Sequence, residues 1–558
     1  MSNLKYIIGI SCFYHDSSVC LFKNGQLVFA CEEEKFSGIK HDSSFPHKAL
    51  KFVFQLYKIK NDEIESVCFY ENPKLKLKRV IKNIKPQLFT NTLYSIISYF
   101  KIKKNIFQLN KELKDYKSKL FFSTHHESHQ YYSFYSSKFK NAICLSIDGV
   151  GEIDTLSMGL ADDTGIDYIS IAEYPHSIGL FYSAMTAFLG FKPNEGEYKV
   201  MGLAPYGNSD AYIDKVRKLI TFKNSKLSCN MEMFCWNSSR KYMYTHKLLD
   251  FLDLNPRSEN SDITQAHKDL AAAVQKRYEE ILLEIFKSIS IINDNPNLCL
   301  SGGCAYNGTA NGKIIDNSHF NKLWIPLAPS DAGSSIGACI HYMVKNKKLK
   351  ERIKPNPFLG PSFYFDDIIK NTKNLKFFKF KSEETLIKKV AEKLKIGKVV
   401  GWYRGHIEFG ARALGNRSIL ANPTIPNMKD RINKLIKKRE SFRPFAPMVI
   451  KEKQNVYFDM HDDIPYMNQI VKVRNEYKDK LPAITHIDGT ARVQTVYKNT
   501  VIYDLLLEFE KQSGFPILLN TSFNIKDKTM VLTPKEAIET FNNTNMDFLV
   551  IGNYLIYK

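Results

Sequence analysis

The sequence is poor in paired thiols and in long apolar runs. Its ten cysteines are scattered from Cys12 to Cys339 without a C-x-x-C pair, and none follows Cys339. That excludes a disulfide framework and a thiolate zinc site, and leaves most thiols as small buried hydrophobes. The longest apolar runs, such as Ala142 to Ile147 and Val399 to Tyr403, fall well short of the about 20 residues that span a bilayer. The opening "MSNLKYIIGISCFYHDSS" has no basic region leading into an apolar core, so a cytoplasmic location and no membrane partner are expected. Neither G-x-x-x-x-G-K-[ST] nor G-x-G-x-x-G occurs, which excludes a P-loop and a dinucleotide fingerprint. Acidic residues are also scarce: 58 Asp and Glu stand against 79 Lys and Arg, a formal charge of +21.

About half of that excess lies in one segment. Between Lys74 and Leu120 thirteen Lys or Arg face only Glu112 and Asp115. A basic face for an anionic partner fits this pattern, and so does a solvated helical insertion, the plainer reading. Phe89, Tyr94, Tyr99, Phe100 and Phe107 interleave at helical spacing, which more often marks a core.

At 558 residues the chain is too long for one ordinary core. Strand-like and helical runs alternate, which argues α/β. Residues 6–36 read as strand, polar turn, strand, hairpin at Asn24-Gly25, strand. Residues 262–289 read as a helix capped by Asp262. The Lys-to-Pro/Gly break at 345–362 separates domains at 1–348 and 356–558, and no internal repeat is visible.

Three constellations carry chemistry. In "THHESHQ", His125 and His129 are four apart, so on a helix they share a face and can reach one metal. Asp148, at the tip of the strand "AICLSIDG", offers a third ligand. Mixed imidazole and carboxylate ligation suits catalytic iron(II), manganese or zinc. Glycine-bearing turns recur at 146–152 (with Gly149), 300–312 (with Gly302, Gly303 and Asn307) and 328–338; their exposed NH groups suit phosphate oxygens. Together with the polar turn carrying His15 and Asp16 they fit an actin-like ATPase fold, and Glu197 and Lys199 stand out in a stretch that helix packing otherwise explains. The C-terminal half gathers Arg404, His406, Glu408, Arg412, Arg417, Lys437, Arg439, Arg443, Arg492, Asn520, Ser522, Asn524 and Lys526, a set suited to a polyphosphate or carbamoyl phosphate pocket.

The motifs "GISCFYHDSS", "EEEKFSGIKHDSSFP", "HHESH", "SIDGVGE", "GEYKVMGLAPYG", "SGGCAYNGTANG", "PSDAGSSIGA", "EFGARALGNRSIL", "RESFRPFAP", "THIDGTARVQTV" and "NTSFN" resemble one family almost end to end: the O-carbamoyltransferases of nodulation-factor and antibiotic tailoring (NodU, CmcH and TobZ type). The resemblance implies an N-terminal actin-like (Kae1-like) domain and a C-terminal α+β YrdC-like domain. It implies carbamoyl-adenylate made from carbamoyl phosphate and ATP with Lys437, Arg417, Arg443 and Arg492. It further implies transfer of the carbamoyl group to a hydroxyl of a sugar or natural product, at a divalent metal, iron(II) before manganese or magnesium. That metal is implied to be held by His125, His129, Asp148 and Asp331, with His15 and Lys40 near the reacting groups and His15 as a candidate base. Two places depart from the family pattern: Glu33-Glu34-Lys35-Phe36-Ser37-Gly38 lacks two arginines near Lys40, and Lys526-Asp527-Lys528-Thr529 replaces a basic-Gly-Glu-Pro run. A tRNA threonylcarbamoyl-type enzyme is the alternative, supported only by the basic segment; no nucleic-acid partner is expected.

Overall fold

The computed structural model describes residues 5–82, 89–238, 242–372 and 375–558. Of the basic segment, residues 83–88 and the side chains of Lys82 and of 89–95, with Phe89 and Tyr94, lie outside the described residues. The chain divides into two compact units, residues 1–28 with 43–355 and residues 29–42 with 356–558. Among the described residues no helix is long and apolar enough to cross a membrane.

The first unit holds two five-stranded sheets. One is built from β1 (Tyr6–Ser11), β2 (Ser18–Lys23), β3 (Gln26–Glu32), β4 (Ile64–Phe69) and β5 (Leu120–Phe122), in the order β3-β2-β1-β4-β5. The other comprises β6 (Ala142–Ile147), β7 (Asp154–Asp162), β8 (Gly165–Glu173), β9 (Asn297–Ser301) and β10 (Lys322–Trp324), in the order β10-β9-β6-β7-β8. Read from its first strand, each sheet runs third-second-first-fourth-fifth, with the first strand antiparallel to the second and parallel to the fourth. The topology is therefore duplicated, although the sequence shows no repeat. Both central strands, β1 and β6, are buried along their whole length, which is why they read as unbroken apolar runs. The expected hairpin forms at Asn24 (φ 51°) and Gly25 (φ 84°), the positive-φ pair of a tight two-residue turn.

Each sheet is followed by a helix at the equivalent place: α3 (His125–Tyr135) after β5, and α5 (Asp331–Lys345) after β10. Between β4 and β5 run α1 (Pro73–Lys82) and α2 (Phe89–Glu112); α4 (Gln265–Ile292) precedes β9. The cap of α4 is Thr264, whose side chain accepts from the His267 N–H. Asp262 lies before the cap, because the helix begins two residues later than a cap at Asp262 would place it. Helices α3 and α5 pack against each other, and each also packs on the sheet that the other one follows. The small residues of "DAGSSIGA" permit this approach: a Cβ on Gly337 would stand 1.7 Å from the Ser128 carbonyl oxygen.

The second unit is built on an eight-stranded mixed sheet: β11 (Lys376–Lys379), β12 (Val400–Tyr403), β13 (Arg417–Ala421), β14 (Ala446–Ile450), β15 (Gln494–Val496), β16 (Ile517–Ser522), β17 (Phe548–Ile551) and β18 (Tyr554–Tyr557). The order is β11-β18-β17-β12-β13-β16-β14-β15. Helices α6 (Glu383–Lys395) and α7 (Val501–Ser513) pack together, and their Leu386, Leu394, Leu506 and Phe509 form one apolar core with Trp402 and Leu420. Residues 29–42, which include the last four residues of β3 and were expected in the N-terminal domain, group here instead. Hydrogen bonds explain this: Ala30 N donates to the Leu359 carbonyl (3.2 Å) and Gly410 N to Glu32 Oε1 (2.6 Å).

Gly337→Ala tests the helix contact. Because the obstructing atom is backbone, the two helices must part; a loss of about 3 kcal/mol in denaturant unfolding is expected, and an unchanged midpoint would show that the helices yield freely.

Candidate functional site

The duplicated topology brings four loop and helix ends to one place. The turn after β1 carries His15, the turn after β6 carries Asp148, the first residues of α3 carry His125 and His129, and α5 opens with Asp331. His125, His129, Asp148 and Asp331 are all buried, and one donor atom from each lies within 4.8 Å of the others. The Asp148 Oδ2 atom is 3.1 Å from both His125 Nε2 and His129 Nε2, and these two nitrogens are 3.3 Å apart. Asp331 Oδ1 stands 3.5 Å and 3.7 Å from the same nitrogens.

These spacings fit a shared cation better than mutual hydrogen bonding. Donors about 2.1 Å from a central ion, at roughly 90° to 109°, are roughly 3.0 to 3.4 Å apart. Neither Asp331 oxygen has a hydrogen-bond partner among the described residues, although the side chain is 1% exposed, and an ionised carboxylate left so is costly. Two imidazoles and two carboxylates form the donor chemistry of a divalent transition metal.

The electrostatics express the same demand. Burial would lower the His125 imidazole, but Asp331 and Asp148 outweigh it and push it up to about 9. Burial would raise the Asp148 and Asp331 carboxyls; the His125 and His129 pair holds the first well below the carboxylate range, and His15 with His125 lowers the second. His15 is pushed up to about 10 against burial, by Asp331 foremost and by Asp16 and Asp148. Its Nδ1 is 3.1 Å from Asp16 Oδ2 and its Nε2 is 3.9 Å from Asp331 Oδ2. While those carboxylates are uncompensated, His15 keeps its proton at neutral pH.

Residues outside the donor set hold it in place. Glu152 accepts from the His125 N–H (3.0 and 3.1 Å) and from the Asn72 N–H (2.6 Å). It thus caps α3 from 27 positions away, where the adjacent Thr124 supplies no side-chain cap. His129 Nδ1 is 3.1 Å from Ser334 Oγ on α5, the outer-shell contact that orients a ligating ring. Arg79 Nη1 donates to the Gly151 carbonyl (2.6 Å), and Lys76 lies over the Tyr14 ring. None of these was legible beforehand; Glu152 stood inside a quoted motif with no local sign of its partner. His126 turns aside, its Nδ1 2.7 Å from Ser157 Oγ.

The glycine turns converge on the same region. Gly302 N donates to the Pro329 carbonyl (2.8 Å), and a Cβ there (φ 88°) would stand 2.2 Å from the Ile147 carbonyl. Beside Gly303 a Cβ would meet Asp148 Oδ1 at 3.1 Å, and Gly149 N donates to that oxygen. Asn307 is paired with Gln275 through both amides. Glu197 accepts from Ser183, Asn194 N and Gly196 N, and Lys199 lies over Phe191.

In the second unit Lys437 is 4% exposed, and its ammonium faces Ser522 O, Ser522 Oγ, Asn524 O and Asn524 Oδ1 at 2.6 to 3.2 Å. Burial, reinforced by Arg439, Arg443 and Lys40, pushes that ammonium well below its ordinary value. Lys40 therefore belongs with this cationic group, in the unit opposite to the one the sequence reading gave it. Arg492 is half-buried just after the strand Thr490–Ala491, and Lys526 is exposed. Two expected members make contacts within the fold. Arg417 donates to the carbonyls of Arg404, Asn416 and Gly405 and lies 3.6 Å over the Tyr403 ring. Asn520 donates to Ala413 O and Gln494 Oε1. The Arg417 Nε, also buried, has no hydrogen-bond partner among the described residues. The family departures have local uses: Lys35 is buried against Glu34 (2.8 Å), and Gly38 (φ 75°) closes the short helix Glu33–Ser37.

Comparison with known proteins matches residues 6–340 to the carbamoyltransferase N-terminus model and 391–558 to the carbamoyltransferase C-terminus model. The uncharacterized protein sll1178 of Synechocystis sp. is 35% identical over 100% of this chain and 97% of its own. Nodulation protein NolNO of Sinorhizobium fredii is 33% identical over 98% of this chain and 79% of its own, and nodulation protein NolO of Bradyrhizobium diazoefficiens is 35% identical over 78% of each. Among solved structures, component A of (R)-2-hydroxyglutaryl-CoA dehydratase from Acidaminococcus fermentans covers 62% of this chain and 100% of its own at 12% identity and TM-score 0.35, a likeness too slight to carry weight.

Two substitutions separate ligation from support. Asp331→Asn keeps the shape but removes the charge, and it is expected to abolish stoichiometric iron(II) or manganese binding in a metal titration. Glu152→Gln is expected to weaken binding about 10- to 100-fold while leaving all four donors present; equal affinity in both variants and the parent would dismiss the cluster as a metal centre.

Proposed function

The chain belongs to the carbamoyltransferase family and is a carbamoyltransferase; from this we propose that it makes carbamoyl-adenylate from carbamoyl phosphate and ATP and passes the carbamoyl group to a hydroxyl of a small molecule, a sugar or natural product. The observation that carries the reading is the separation of two chemistries. A buried His/Asp donor set lies in the first unit, and a lysine-arginine group around Lys437 lies in the second. We read the first unit as actin-like and Kae1-like, which its duplicated sheet order supports, and the second as YrdC-like.

In the second unit, water releases inorganic phosphate from carbamoyl phosphate, and the carbamate oxygen attacks the α-phosphorus of ATP, expelling pyrophosphate. Arg443, Arg439 and Lys40 supply positive charge for these anions, and Lys437, whose own charge burial and these neighbours disfavour, stands ready to gain a proton as an anion arrives among them. Ser522 and Asn524 orient the Lys437 ammonium. In the first unit, the acceptor oxygen attacks the carbamoyl carbon, the bond to AMP breaks, and the acceptor proton is taken up.

The donor set of His125, His129, Asp148 and Asp331 would hold a divalent ion, iron(II) best matching two imidazoles and two carboxylates, which supplies Lewis-acid stabilisation of the phosphate or carbonyl oxygen when bound. His15 carries the proton at this site: cancelling the field of Asp331 and Asp148 lowers its hold on that proton and frees it to accept one from the acceptor hydroxyl. The NH group of Gly303 is the candidate for the nucleotide phosphates, since those of Gly149 and Gly302 already donate to Asp148 Oδ1 and to the Pro329 carbonyl.

The test follows the two half-reactions separately. Incubation with ATP and carbamoyl phosphate is expected to yield AMP and pyrophosphate. Lys437→Met is expected to reduce carbamoyl-phosphate-dependent exchange of labelled pyrophosphate into ATP by about 100-fold or more, whereas His125→Ala retains that exchange and loses carbamoylated product. ADP formation without pyrophosphate would replace this reading with a kinase-like one.

A further inference from the structure

We propose that the outward face of α2 seats on an anionic bilayer surface. The helix has two unlike sides. Ile102 and Leu109 are buried, whereas Ile96, Phe100 and Phe107 are 41%, 64% and 72% exposed. At 3.6 residues per turn these three share an arc of roughly 40°, an apolar ridge, broken between Phe100 and Phe107 by the turn that carries Lys103 and Lys104, that contact with water alone leaves unexplained. Exposed Lys103 flanks it on one side and exposed Lys104 and Lys111 on the other. Lys103 lies over Tyr99, whose ring meets Phe100 edge-on, so the ridge and its flanking charge are packed as one surface. Apolar side chains bordered by long lysines are the pattern of a helix lying in an interface: the ridge enters the acyl boundary and the ammonium groups reach lipid phosphates.

Charge complementarity selects the occupant. The segment from Lys74 to Leu120 carries thirteen basic residues against two acidic ones, and twelve of the thirteen are lysine. The one arginine, Arg79, is turned inward to Gly151. A diffuse anionic surface needs only point charges, while base or phosphopeptide recognition favours planar guanidinium; the exposed Phe100 and Phe107 rings are also stacking surfaces for bases, so it is the lysine-only charge that favours the bilayer. This revises the expectation of no membrane partner without requiring a spanning helix, and it is independent of the transfer chemistry.

The test is co-sedimentation of the full chain with vesicles of phosphatidylcholine alone and of phosphatidylcholine with phosphatidylglycerol (3:1), in low salt and 0.5 M salt. Binding to the anionic vesicles only, weakened by salt, is expected. Phe100→Ser with Phe107→Ser, and separately Lys103→Gln with Lys104→Gln and Lys111→Gln, should each lower the partition coefficient, the lysine set by about fivefold per residue, with AMP formation unchanged. Equal recovery with both vesicles, or anionic binding that both variants retain, overturns the proposal. So does a solution dimer that the phenylalanine variant dissolves, or retention of a short RNA in place of vesicles.

Discussion

Two carboxylates, Asp148 and Asp331, are buried against the same pair of imidazoles, and the first unit is organised around that fact. Each buried ion costs several kcal/mol unless compensated, and the structure offers partial compensation in the raised imidazoles of His15 and His125 and the lowered carboxyls. Protons on the imidazoles and a divalent ion among them are alternative answers to one electrostatic demand. The convergence of the donors, with Asp331 left without a hydrogen bond, favours the ion.

The duplicated sheet order explains how four donors from distant positions meet. Each half supplies a turn after its first strand and a helix after its fifth. The first half gives His15, His125 and His129, and the second gives Asp148 and Asp331. Close contact of the two helices at Gly337 and Ser128 sets the distance between imidazole and carboxylate. The small residues of 328–338, read from the sequence as a glycine-bearing turn for phosphate, instead lie largely in the first turns of α5 and are part of the site's geometry through close helix packing.

The legible part of the site was the part encoded locally. His125 and His129 share a helix, so their spacing reveals a common face, and Asp148 ends an apolar strand. Asp331 was implied only by family resemblance, because the path from α3 to α5 crosses a whole half of the unit. Glu152 gave no signal, since an acid that caps a helix from 27 residues downstream looks like any turn acid. The topological repeat was hidden because the segments between equivalent strands differ: α1 and α2 fill one interval where the other half places short elements. At Arg417 the fold adds what the sequence could not: the guanidinium donates to backbone carbonyls and lies over an aromatic ring, while its Nε has no hydrogen-bond partner among the described residues. Lys40 follows the same logic, since proximity in sequence to the first sheet did not keep residues 29–42 in that unit.

The basic segment joins these themes. Charge counting fits both a solvated insertion, the plainer reading, and a binding face, because lysine serves both. Position separates them. The segment and a residue just before it are tied to the metal-type centre: Asn72 N, ahead of the segment, donates to Glu152, Arg79 within it donates to Gly151, and both acceptors sit in the turn that carries Asp148. An insertion that was only solvated would have no reason to share the helix cap of His125. Farther along, α2 turns one apolar side inward and another outward, so a single segment contacts the chemistry at one end and presents an unlike surface at the other. The segment is accordingly a structural part of the centre, and its charge is the least specific thing about it.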